Sequence, residues 1–108
     1  MNEPQFQKLC SEILDRSEDI MFAKAQEYAP VDRLENFKRR LPVLREQKAS
    51  QVILSDMSKH IDALARAVDT GNYRWCWADD DGEGAKQRIA DAINYLLLLA
   101  AAMEEENV

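Results

Sequence analysis

A chain of 108 residues has room for one domain and a single modest core. A composition 46% hydrophobic and 31% charged belongs to a globular chain and excludes a disordered one. The formal net charge of −6 argues against direct DNA binding, leaving carboxylates gathered at a metal or an acidic surface facing a basic partner.

Three glycines, three prolines and few β-branched runs point to helices. Cys10 and Cys76 form no CxxC pair, so free thiols in a cytoplasmic chain are expected. MNEPQFQKLC has no basic segment followed by an apolar one, so no signal peptide is read. The apolar C-terminal run falls short of the roughly 20 residues that a bilayer span takes.

The first predicted helix covers about 4–28, opened by Pro4 and ended by the constraint of Pro30 on Ala29. Phe6, Leu9, Cys10, Ile13, Ile20 and Met21 make its apolar stripe, with Glu12, Asp15 and Asp19 facing solvent. Lys24 falls within the stripe, with Glu27 and Tyr28 as neighbours at i+3 and i+4. Alone, it reads equally well as a lysine snorkelling past the end of the core.

Asp32 is placed to cap a short helix over 32–41, with Glu35 as its capping-box partner and Pro42 as its breaker. Phe37 anchors this helix to the core, and Asn36 reads locally as a polar surface residue. Lys38, Arg39 and Arg40 form the one cationic cluster, either a solvated face or a phosphate contact. Ser50 is placed to cap a helix that runs to about 69 and stops at Gly71. Ile53, Met57, Ile61, Leu64 and Val68 form its core stripe. His60 borders that stripe, Asp56 flanks it and Lys59 lies outside. Taken alone, His60 reads as a hydrogen-bonded structural residue.

Residues 70–84 read as a loop. Its DDDGEG lacks the alternating ligands and closing Glu of a calcium loop, and reads as an acidic cap for the last helix. The Trp75-Cys76-Trp77 cluster covers the core, a partner subunit or a bound base, and nothing local decides which. The last helix covers about 84–105. Within Ile89–Met103, 13 of 15 residues are apolar or aromatic, the exceptions being Asp91 and Asn94. A helix apolar on nearly its whole circumference needs cover on both faces. Asp91 and Asn94 therefore sit in a covered groove, where a carboxylate needs a cation, a ligand or a basic side chain. The expected whole is an all-α, four-helix-type bundle without strands, completed as a homodimer or homotetramer. No Walker loop, GxGxxG, HExxH or nucleophile elbow is present.

KAQEYAPVDRLENF at 24–37, MSKHIDAL at 57–64 and RIADAINYLLLL at 88–99 together resemble the MazG-like, all-α nucleotide pyrophosphohydrolase superfamily, nearest its small phage and prophage branch. The resemblance covers about a third of the chain, in three segments in the family's order. It implies a helical bundle that completes its site by oligomerising and hydrolyses a nucleotide to monophosphate and pyrophosphate with Mg²⁺. It further implies Glu27, Asp32 and Asp91 as metal ligands, and Tyr28, Asn36, Phe37, Asn94 and Tyr95 as substrate contacts. Lys24, Lys59 and His60 would then serve the chemistry, with lysines or the Lys38–Arg40 cluster neutralising the leaving pyrophosphate. The chain departs from the superfamily's ExxE and ExxD pairs: Arg88 stands three residues before Asp91, and the pair Glu12 and Asp15 faces outward. Two further functions follow from that departure and from the charge runs. One is a nucleotide-sequestering protein of the same fold. The other is a small acidic inhibitor acting through Asp79–Asp81 and Glu104–Glu106.

Overall fold

The computed structural model describes residues 1–28, 32–45 and 48–107, with Tyr28 in its backbone only. In chain order the elements are α1 (Glu3–Tyr28), α2 (Glu35–Lys38), α3 (Leu41–Leu44), α4 (Ala49–Thr70), β1 (Ala78–Asp79), β2 (Gly82–Glu83) and α5 (Ala85–Glu106). The fold is mostly helical. Three long helices and two single turns stand where four bundle helices were expected.

Asn2 starts α1: its Oδ1 accepts the Gln5 N–H at 2.9 Å, and Gln5 Oε1 accepts the Asn2 N–H at 2.8 Å. Pro4 falls in the first turn, where a missing N–H costs nothing. The expected stop at Ala29 and Pro30 lies outside the described residues.

The helix expected over 32–41 is instead two single turns. Asp32 does not cap it; its Oδ1 accepts the Leu34 N–H at 2.9 Å in an Asx turn, and Leu34 precedes α2 without a side-chain cap. Pro42 does not break a helix but lies in the first turn of α3, where proline is tolerated. Ser50 likewise does not cap α4. Lys48 takes that place, its N–H donating to Gln51 Oε1 at 2.9 Å. The Ser50 N–H reaches Glu106 Oε1 at 3.2 Å, so the end of α5 puts a carboxylate at the positive start of α4. Gly71 ends α4 as expected, at φ 68° with its N–H on the Ala67 carbonyl at 2.9 Å.

The acidic loop carries the strands that were not expected. Ala78 pairs with Glu83 and Asp79 with Gly82 in a two-residue antiparallel hairpin. Its carboxylates do not cap α5, which starts at Gly84 without a side-chain cap. They face Arg74 instead, at 3.0 Å from Asp79 and 3.6 Å from Asp81. Gly84 is required by contact: a Cβ there would lie 2.3 Å from the Cys76 carbonyl oxygen.

Helices α4 and α5 run antiparallel and share the core, where Val52 and Ile53 are fully buried with Leu34, Phe37, Ala49 and Ala102. Each such aliphatic contributes about 1.5–3 kcal/mol of burial. The stripe expected on α4 is rotated. Ile61 is 47% and Val68 75% exposed, because α5 covers the adjoining face of Val52, Asp56 and His60. On α5, Leu96 and Met103 are exposed although cover was expected on both faces of that helix, while Asn94 is buried. Helix α1 lies against α5 through Ser17, whose hydroxyl donates to the Ala90 carbonyl at 3.3 Å, and through Glu12, which pairs with Lys86. Among the described residues no helix is long and apolar enough to cross a membrane.

Candidate functional site

Where the end of α1, the α2 segment, α4, the hairpin and α5 meet, they enclose a cavity of about 420 Å³. Helix α5 supplies Asp91, Asn94 and Tyr95 from its polar side. Helix α4 supplies Asp56 and His60, α1 supplies Lys24, and β2 supplies Glu83. Arg33, Asn36, Phe37 and Arg40 close it from the α2 side. The site forms where Asp91 and Asn94, the two polar residues of the apolar stretch 89–103, line a cavity shared with α4.

One ligand atom each from His60, Glu83 and Asp91 lie within 4.8 Å of one another, a group that could hold a metal ion. Two of the three are braced from behind. Gln87 Nε2 donates to Asp91 Oδ1 at 3.1 Å, and buried Gln87 in turn accepts from Arg16 at 3.2 Å. The His60 ring packs on Tyr95, with centroids 5.4 Å apart. Glu83 Oε2 stands 3.7 Å from Arg88. Two acceptor-capable atoms near this group have no partner among the described residues: His60 Nδ1 and Asn94 Oδ1, both buried. A buried polar atom left unpaired costs about 1–3 kcal/mol, so this wall is built to meet something.

The donor chemistry fits a divalent cation, with two carboxylates and an imidazole on one small volume. The carboxylates suit Mg²⁺; the imidazole suits a first-row transition ion better.

The positive groups divide into two sorts. Arg40 is committed: its Nη1 and Nη2 meet Asp56 at 3.3 and 2.5 Å, over the Phe37 ring. The hydrogen bond that Arg40 donates to Asp56 is the main cause that raises the Arg40 pKa. Lys24 and Arg33 are uncommitted. Among the described residues neither has an ion-pair partner, and Arg33 donates to Met21 Sδ at 3.3 Å. Tyr95 is held protonated above its usual range, first by burial and then by the negative charges of Asp56, Asp91 and Glu83.

The cavity therefore gathers Lys24, His60, Asn36, Phe37, Asp91, Asn94 and Tyr95 from the sequence-derived candidates. Of the three expected metal ligands it gathers Asp91 alone. Glu27 is exposed and does not line it. Asp32 is outside too, tied to Lys38 at 2.6 Å; that hydrogen bond, then the one from the Leu34 N–H, lowers its pKa. Lys59 is exposed and also outside. The Tyr28 side chain lies outside the described residues.

Sequence reasoning missed Glu83 and Arg33. Glu83 had a faint signal, an acid beside a glycine ahead of the last helix, but it reads as a cap until the hairpin is seen. The tryptophans left open above pack on cations: Lys86 Nζ lies 5.7 Å from the Trp75 ring and 4.9 Å from that of Trp77, and Arg16 lies 5.4 Å from Trp77. Compared with protein-family models, with characterised proteins and with solved structures, the chain finds no match.

Proposed function

We propose that this chain is a small MazG-like, divalent-cation-dependent nucleotide pyrophosphohydrolase that takes its substrate in the cavity between α1, α4 and α5. One observation carries the reading: Glu83, Asp91 and His60 converge in a cavity that Lys24 and Arg33 also line, with the unpaired Asn94 Oδ1 in its wall.

In this reading Lys24 and Arg33 bind the phosphate chain as charge-assisted donors. Asn94 Oδ1 accepts an N–H or O–H from the base or sugar, and Phe37 with Tyr95 supplies apolar and aromatic wall. Asn36 lines the rim. Glu83 and Asp91 would hold a divalent cation, the part that the family resemblance gives to Mg²⁺. Such a cation supplies charge neutralisation on phosphate oxygens and a more acidic bound water. Hydrolysis adds a water oxygen to the α-phosphorus and breaks its bond to the bridging oxygen. Pyrophosphate leaves with the electron pair, and the water proton passes to a cavity carboxylate or to solvent.

A second reading, nucleotide binding without turnover, is favoured by one feature: Asp56 is consumed by Arg40, which leaves two carboxylates at the group. The acidic-inhibitor reading draws less support, since Asp79 and Asp81 already face Arg74. Thermal shift with the common nucleoside triphosphates, with and without a divalent salt, then pyrophosphate release on the hits, separates the readings. Pyrophosphate release supports the enzyme, a shift without release supports the binder, and no shift with any nucleotide overturns both.

A further inference from the structure

We infer that His60, Glu83 and Asp91 form a three-ligand site for a first-row transition ion of the Mn²⁺, Co²⁺ or Zn²⁺ class, selected over Mg²⁺ by the imidazole. The inference rests on the metal-dependent reading above and names the ion that reading leaves general.

Distance, donor type and burial carry it. Ligands each about 2.1 Å from one ion stand roughly 3.0–3.4 Å apart in octahedral or tetrahedral geometry, so a group within 4.8 Å closes by no more than about 1.8 Å. Glu83 is the exposed member, on a two-residue strand, and has the freedom to make that movement. Mg²⁺ takes oxygen ligands in a near-ideal octahedron and gains little from an imidazole, whereas first-row transition ions bind it well. The support behind the ligands is of the kind metal sites use. Asp91 is fixed by Gln87, and Gln87 by Arg16, which sets the carboxylate's orientation before any ion arrives.

The independent observation is the unpaired polar wall. Asn94 is 8% exposed, lines the same cavity, and its Oδ1 has no hydrogen-bond partner among the described residues. His60 Nδ1 is buried and equally without one. A hydrated ion would satisfy Asn94 Oδ1 through a metal-bound water, and would satisfy His60 Nδ1 where that nitrogen is the ligand. Arg88 works against the ion. Its guanidinium, 3.7 Å from Glu83, neutralises the carboxylate that moves.

The test is calorimetric titration of the full chain with MnCl₂, CoCl₂ and MgCl₂, with the visible absorption of Co²⁺ reporting the ligand field. One Co²⁺ or Mn²⁺ per chain is expected, bound at least about tenfold tighter than Mg²⁺. His60→Gln should weaken Co²⁺ by at least about tenfold, the loss that even outer partners of a metal site cause, and leave Mg²⁺ unchanged. Glu83→Gln, at an exposed position that does not threaten folding, should weaken all three ions, and Arg88→Gln should tighten them. Equal affinity for Mg²⁺ and Co²⁺, a His60→Gln variant that folds and binds Co²⁺ like wild type, or Glu83→Gln without effect overturns the inference. Thermal shift with nucleotides in EDTA separates the two proposals. Nucleotide binding without ion binding defeats the ion inference alone, and ion binding without nucleotide binding defeats the nucleotide reading alone.

Discussion

Asp91 shows how far a single residue can be read before the fold is known. A carboxylate in a run of leucines and alanines must be compensated; Gln87 on its own helix donates to it, and His60 and Glu83 bring one ligand atom each to within 4.8 Å. Lys24 shares the cavity but makes no ion pair with it. Asp91→Asn therefore removes no buried salt bridge. The variant is expected to keep a similar or higher melting temperature while losing metal-dependent ligand binding; a loss of about 3–5 kcal/mol would instead mark a broken buried pair. Differential scanning fluorimetry with and without ion and nucleotide reads both effects. Tyr95 gives a second prediction, with its sign set by burial. Its pKa is raised in the fold from 10.0, so below that pH the group contributes no slope. As pH rises past 10.0 the unfolded chain gives up the phenol proton while the fold retains it, and stability falls until the raised value is passed. Urea midpoints should decline as pH rises past 10.0, and Tyr95→Phe should flatten that decline.

The elements divide into those with local causes and those with tertiary ones. The long helices were legible, as was the stop at Gly71, because period, length and a left-handed glycine are written in neighbouring residues. The hairpin was not. Its acids look the same in sequence whether they cap a helix or face Arg74, and the close approach of Gly84 to Cys76 that goes with the second course is a tertiary contact. The two turns at 35–38 and 41–44 defeated the reading for a similar reason. Asp32 has two uses open to it, cap or Asx turn, and Lys38 recruits it to the second. The same logic hid Glu83 while leaving Asn94 and His60 in view, since these two sit on helices whose faces can be counted. Gly84→Ala tests the claim that this hairpin delivers a functional side chain. The new Cβ would meet a backbone oxygen at 2.3 Å, so the hairpin must shift. A destabilisation of about 1–3 kcal/mol is expected, as for other overpacked sites. Metal affinity should fall with it if Glu83 is a ligand, and calorimetry on the folded fraction checks this.

At the scale of the whole molecule, one chain leaves too much apolar surface uncovered. On α4, Leu54, Ile61 and Val68 recur every seven residues at 48%, 47% and 75% exposure, the spacing of a seam between packed helices. On α5, Leu96, Leu97 and Met103 are more than half exposed. The helix that was expected to need cover on two faces has it on one. A magnitude decides how much of this a second copy must bury. Half-exposed aliphatics gain about 1 kcal/mol each on full burial, so the α4 seam in two copies gives about 6 kcal/mol. That only matches the low end of the roughly 4–15 kcal/mol cost of association. Adding the three α5 residues from each copy doubles the gain and makes a stable dimer reasonable. We therefore expect a homodimer that uses both surfaces, and Ile61→Lys or Leu97→Lys alone should each weaken it. Sedimentation velocity is the measurement: a dimer for the wild type at about 50 μM, shifting toward monomer in either variant, follows from this balance. A wild-type monomer at that concentration would mean that these side chains are simply solvated.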